Sequence, residues 1–183
     1  MSADRLQAQD HAVCLPDAAA TESAGHVLGQ ALEAALGAQS VAGAAIVGLA
    51  GTLGAGKTTL ARAALRALGV AGTVRSPTYT LAEPYETRIG CVWHLDLYRI
   101  AAPEELEFIA IRDLVSDSAV CLVEWPERGR GGLPEPDCLL SIAVTGHGRR
   151  LRIGWSTPLG GAVSSRVLAS TRLEFHRMDG SQS

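Results

Sequence analysis

Hydrophobic and polar positions change period several times along this chain, and each change predicts an element. Between Glu22 and Gly37, residues Val27, Leu28, Ala31, Leu32, Ala35 and Leu36 fall on one face at helical spacing, with Asp17 or Thr21 as candidate caps and Gly37 as the stop. The run Ala44–Ala50 (AAIVGLA) is apolar without alternation, as in a strand buried on both faces. A glycine-rich segment follows. Lys57–Gly69 then returns to helical spacing through Leu60, Ala64, Leu65 and Leu68 and closes on Gly69. The order is strand, glycine loop, helix.

The next part breaks simple alternation of strand and helix. Thr78–Glu86 and Cys91–Arg99 are both strand-like, and the short link TRIG joins them only as antiparallel neighbours, so the sheet is expected to be mixed. A short helix is expected from Pro103, with Glu104 and Glu105 in a first turn whose dipole favours acids. Ala119–Trp125 (AVCLVEW) has the continuous apolar character of a central strand, and Cys138–Val144 and Arg150–Trp155 flank TGHGR as a hairpin. Beyond about Ser156 the pattern fades, and no internal repeat is visible.

Composition narrows the class. A chain of 183 residues with 47% hydrophobic side chains is the size of one domain with a real core. Its net charge of −3 provides no basic field for broad nucleic-acid binding. Asp4 and Asp10 stand where a signal peptide would need positive charge, and the apolar run at 41–50 is only ten residues, too short to span a bilayer. The expectation is a soluble, cytoplasmic protein with no membrane attachment. Cys14, Cys91, Cys121 and Cys138 are scattered without metal-site spacing and are expected to be reduced, mostly buried thiols.

One feature of composition points to chemistry. The chain has sixteen basic side chains, and Lys57 is the only lysine among them. It lies in GTLGAGKT, which matches G-x-x-x-x-G-K-[ST] at Gly51, Gly56, Lys57 and Thr58. Average residue usage would produce that match by accident in roughly one protein in a few hundred, and here it falls after a buried strand and at a helix start. Glycines let successive N–H groups point at phosphate oxygens, and the helix N-terminus adds partial positive charge. A compact ammonium reaches the β and γ phosphates as a point charge, which a forked guanidinium does poorly. Thr58 is the expected magnesium ligand, with Thr59 as the lesser candidate. An unliganded glycine turn is the bland alternative.

Other residues complete a candidate site. Asp96, in HLDLYR, ends a strand and suits a Walker B carboxylate; the alternative is a strand-end aspartate in a turn or paired with Arg99. Glu124 ends the apolar strand and would emerge beside the loop if that strand runs parallel to the first, as a ligand to magnesium or water or as a structural acid. Ser76 or Thr78, in SPTYT, could sense the γ-phosphate or simply form a turn. His94 shares a strand face with Asp96 and reads as a packed or hydrogen-bonded histidine. With no second lysine, an N-K-x-D guanine signature is impossible, so ATP is favoured over GTP.

Taken in order and spacing, GTLGAGKTTL, SPTYTLAEPY, HLDLYRI, PEELEFIAIRDL and LVEWPERG resemble the TsaE (YjeE) family of bacterial ATPases in tRNA threonylcarbamoyladenosine biosynthesis, from about Leu15 to Trp155. The resemblance implies an α/β, P-loop NTPase-like three-layer fold with a mixed parallel/antiparallel central sheet flanked by helices. The expected organisation is a flexible N-terminus over 1–14, a single P-loop ATPase domain over 15–155, and a C-terminal extension over 156–183 that is partly disordered or helical. The resemblance further implies slow, magnesium-dependent ATP hydrolysis in partnership with TsaB and TsaD, resetting a complex that modifies the adenosine next to the anticodon in tRNAs reading codons that begin with A. The tRNA would be reached through that complex.

By the same resemblance Gly54, Ala55, Gly56, Lys57, Thr58 and Thr59 form the phosphate loop, Asp96 and Glu124 are the acidic magnesium-side positions, and Ser76, Pro77, Thr78 and Tyr79 form a switch-like segment. Trp125 would pack near the site or a partner, Thr21 would lie near the adenine, and Arg149 would contact the nucleotide; the last two read equally as a helix cap and a solvated charge. Two other functions use the same loop: a small-molecule kinase, and a nucleotide-dependent binding module in which hydrolysis is not needed.

Overall fold

The computed structural model describes residues 12–37, 44–77, 80–102, 105–106, 111–116 and 118–179. In chain order the elements are β1 (Ala12–Leu15), α1 (Ala18–Leu36), β2 (Ala45–Ala50), α2 (Lys57–Ala67), β3 (Ala82–Thr87), β4 (Gly90–Asp96), α3 (Ile111–Ser116), β5 (Val120–Glu124), β6 (Cys138–Thr145), β7 (Gly148–Trp155) and α4 (Pro158–Asp179). The strands form one sheet in the order β1-β7-β6-β2-β5-β4-β3. Strand β2 runs parallel to β5 and β6, and β4 runs parallel to β5, while β3 with β4, β6 with β7, and β7 with β1 are antiparallel. The expected mixed sheet is present, and the carboxyl ends of β2, β4 and β5 share one edge, where open α/β sheets bind ligands.

Helices α1, α2 and α4 cover one face. Leu28, Leu32, Leu60, Leu65, Val163 and Val167 meet Leu49, Leu122, Leu140 and Ile153 of the sheet there. The other face is covered by α3 and the segments around it, through Leu95, Leu97, Ile100, Leu106, Ile111 and Val123. Three layers result, as expected, with most of the helix on one side.

The N-terminal cap of α1 is Asp17, whose Oδ1 accepts the Ala20 N–H at 2.7 Å. Thr21 lies inside the helix, buried. Small residues set the approach of α1 to α2. A Cβ at Gly25 would collide with the Leu60 carbonyl oxygen and stand 2.7 Å from the Ala63 Cβ, so the helices touch at backbone distance. Gly25→Ala is therefore expected to cost about 1–3 kcal/mol through overpacking, lowering the melting temperature by ~2–4 °C per kcal/mol in calorimetry.

Two expectations change, a third falls largely outside the described residues, and a fourth is met in part. Residues 12–15 belong to an edge strand rather than a flexible start: Val13 and Leu15 are buried against β7, but four residues before a proline are too short a run to show alternation. Strand β3 begins at Ala82, later than expected, because Leu81 precedes it with φ of 65°; Thr78 and Tyr79 lie outside the described residues. Pro103 and Glu104 also lie outside them, while the Glu105 carboxylate accepts the Ala101 and Ala102 N–H groups at 3.0 Å. Of the cysteines, Cys121 and Cys138 are buried, Cys91 is half-buried and Cys14 is exposed; burial pushes the Cys138 thiol up to about 11.

The segment beyond Ser156 is helix α4, which packs Val163, Ser164, Val167, Leu168 and Thr171 inward. Thr157 caps it by accepting the Gly160 N–H at 3.2 Å, with Pro158 in the first turn. Among the described residues no helix is long and apolar enough to cross a membrane.

Candidate functional site

Between β2 and α2 the chain passes through Gly51–Gly56. Gly56 has φ of 111°, and a Cβ there would stand 3.2 Å from the Thr21 methyl and 3.3 Å from the Arg149 Nε. The positive φ favours glycine here, and a Cβ would press on both of those side chains. Helix α2 starts without a side-chain cap, unlike α1, and has no acid in its first turn. Its first N–H groups and partial positive charge are left for an external acceptor. Leu53, at the crest of the loop, is 74% exposed.

Lys57 is only 4% exposed. Its Nζ donates to the carbonyls of Gly51 at 2.7 Å and Thr52 at 2.9 Å, and stands 3.8 Å from the centroid of the Trp125 ring. The ammonium is thus curled back over its own loop. Burial pushes its pKa down, and the carboxylates of Glu124, Asp96 and Glu127 oppose that shift. An anion arriving at the loop would add to those carboxylates in favouring the charged form.

Glu124 is the last residue of β5 and is 2% exposed. It lies opposite Leu49 of β2 and Asp96 of β4, so the parallel pairing that its expected location required is present. The Thr58 hydroxyl donates to Glu124 Oε2 at 2.9 Å, and His94 Nε2 lies 2.9 Å from Glu124 Oε1. Between the two candidate threonines, Thr58 is the one whose hydroxyl reaches this acid. A hydroxyl and carboxylate in direct contact at a helix N-terminus form a pair of hard oxygen donors that fits a magnesium ion better than a softer metal. Asp96, 6% exposed, accepts the Tyr98 N–H at 3.1 Å and forms the turn considered for it from sequence.

The segment before β3 also arrives here. Leu81 donates its N–H to the Pro77 carbonyl at 2.8 Å and accepts the Asp96 N–H at 3.0 Å, tying the switch-like segment to the end of β4. Ser76 is half-buried just ahead of it. Leu81 and Trp125 are the two non-glycine residues with positive φ among those described, at 65° and 58°, and they adjoin Asp96 and Glu124. The Trp125 turn carries its ring onto Lys57 and beside Tyr98, 5.1 Å away, with the Arg128 guanidinium over both rings. Arg149 reaches across from β7 to donate to the Ala55 carbonyl at 2.8 Å.

The structure thus gathers Gly51, Ala55, Gly56, Lys57, Thr58, Asp96, Glu124, Trp125, Thr21 and Arg149 around one loop. Thr59 is half-buried in the first turn of α2, Gly54 stands at the open side of the loop, and Thr78 lies outside the described residues. Sequence reasoning did not pair His94 with Glu124 or place Tyr98 and Arg128 on Trp125. Only the shared parity of His94 and Asp96 hinted at the first.

A model of the family described as "Threonylcarbamoyl adenosine biosynthesis protein TsaE" matches residues 15–152. The chain belongs to the TsaE family. A Haemophilus influenzae protein named tRNA threonylcarbamoyladenosine biosynthesis protein TsaE is 48% identical over 122 residues, covering 67% of this chain and 77% of that one. An Aquifex aeolicus protein of the same name is 39% identical over 115 residues, covering 62% and 78%. The crystal structure of Bacillus subtilis YdiB superposes with a TM-score of 0.68 at 18% identity, over 88% of this chain and 95% of that one, a likeness of fold. The TsaE match ends within β7, so the packed part of α4 adds to the chain beyond the matched region.

Proposed function

We propose that this TsaE-family chain is a magnesium-dependent ATPase serving tRNA threonylcarbamoyladenosine formation in the cytoplasm, together with TsaB and TsaD. The observation that carries the reading is the convergence of Lys57, Thr58 and Glu124 at the uncapped start of α2. The names of the relatives support the pathway.

Each side chain has a role in that reading. Lys57 leaves its loop carbonyls and the Trp125 ring for the β and γ phosphates. Arg149 holds the Ala55 carbonyl, fixing the loop whose N–H groups face those phosphates. Thr21 and Arg149 border Gly56 on the side proposed for the adenosine moiety. Magnesium, held by Thr58 with Asp96 or Glu124, would neutralise charge on the phosphates. Glu124, released from the Thr58 hydroxyl, orients the attacking water. Ser76 and Thr78 are the proposed γ-phosphate sensors, since Pro77, between them in sequence, is tied to Asp96 through Leu81. Hydrolysis would reset the TsaB–TsaD complex between rounds.

The test follows the γ-phosphate. The purified chain is incubated with terminally labelled ATP and magnesium, alone and with TsaB and TsaD. Label is expected only in inorganic phosphate, with faster release when the partners are present. Label in a small-molecule acceptor would replace this reading with a kinase.

A further inference from the structure

His94 is 0% exposed, and its Nδ1 is a buried polar atom with no hydrogen-bond partner. Among the described residues its polar contact is to Glu124, from the neighbouring parallel strand. The register puts His94 opposite Leu122, so it reaches Glu124 diagonally, two residues further along the same face. A carboxylate has no proton to give. The bond therefore requires the hydrogen on Nε2; in the neutral ring that leaves Nδ1 a bare acceptor, less costly to leave unpaired than an N–H. Glu124 then has both oxygens assigned, Oε1 to His94 and Oε2 to Thr58. When Thr58 turns to a metal ion, the bond to His94 is the one that remains to hold the carboxylate plane.

We propose that His94 is a positioning residue that fixes the orientation of the Glu124 carboxylate through an Nε2–H bond, so that the free oxygen faces the attacking water. The inference rests on the ATPase reading for its consequence, but the bond itself can be tested without turnover. It is a contact between two buried side chains. A merely space-filling histidine would not need one particular nitrogen protonated.

Two measurements on the full chain decide it. The first is nitrogen-15 NMR of the imidazole in the nucleotide-free protein. The expected result is a proton on Nε2, with a shift at Nε2 in Glu124→Ala; an Nδ1–H tautomer with bare Nε2 overturns the proposal whatever the protein does with ATP. The second compares His94→Leu with His94→Gln, whose amide can place a donor near the Nε2 position. His94→Leu is expected to lower kcat at least about tenfold with ATP affinity changed less than about threefold, and His94→Gln to recover most of the rate. Wild-type turnover in His94→Leu overturns the proposal. So does a loss of kcat, affinity and melting temperature together in both variants, which marks a purely structural histidine. Failure of the ATPase reading looks different: Lys57→Ala would then turn over ATP as fast as the wild type.

Discussion

Replacing Lys57 by alanine is expected to lower ATP turnover by about 10²–10³-fold and to abolish modification in a purified system. The buried ammonium has no substitute, because it is the chain's only lysine. Arg149, the arginine closest to the loop in the described contacts, is committed to the Ala55 carbonyl. Lys57→Arg is expected to fail almost as badly. A forked guanidinium has to fit between the Gly51 and Thr52 carbonyls and the face of Trp125, where the ammonium stands 3.8 Å from the ring centroid. Turnover and tRNA modification measured side by side check this, with calorimetry to show that the variants remain folded.

Glu124→Gln is expected to retain ATP binding within about threefold while turnover falls ~10²-fold or more. The amide is nearly isosteric and preserves both contacts in the nucleotide-free site. Its oxygen accepts from His94, and its NH₂ donates to the Thr58 hydroxyl oxygen, at the positions of the present 2.9 Å bonds. What it loses is negative charge, and with it the capacity to orient a water by accepting its proton or to bind magnesium strongly. Equilibrium ATP binding and single-turnover hydrolysis separate these effects. A parallel loss of affinity and rate would mean that Glu124 acts mainly as a nucleotide-binding ligand.

Legibility in the sequence followed the range of the interactions. Lys57, Thr58 and their glycines were readable because strand, loop and helix are contiguous, and local spacing encodes them. Glu124 was readable on the condition that β5 runs parallel to β2, since the end of an apolar strand marks one edge of the sheet. The hairpin of β3 and β4 followed from its short link, although the start of β3 shifted with the turn at Leu81. Strand β1 escaped because four residues before a proline are too short a run to show alternation. A helix in the C-terminal extension was among the expectations, but its start was not placed, although Thr157–Pro158 is a cap followed by a first-turn proline and could have marked it. The bond from His94 to Glu124 needs the register of two strands separated by more than twenty residues, and the Trp125 ring reaches Lys57 through a left-handed turn that no residue type announces.

The central claim is that hydrolysis, and not nucleotide occupancy alone, lets this chain act repeatedly. Counting threonylcarbamoyladenosines formed per TsaB–TsaD complex, with ATP in excess and Glu124→Gln in place of the wild type, tests it most directly. The account predicts about one modification per complex with the variant and many with the wild type. Many rounds with the variant, while its ATP hydrolysis stays undetectable, would contradict the account and make the chain a nucleotide-dependent binding module.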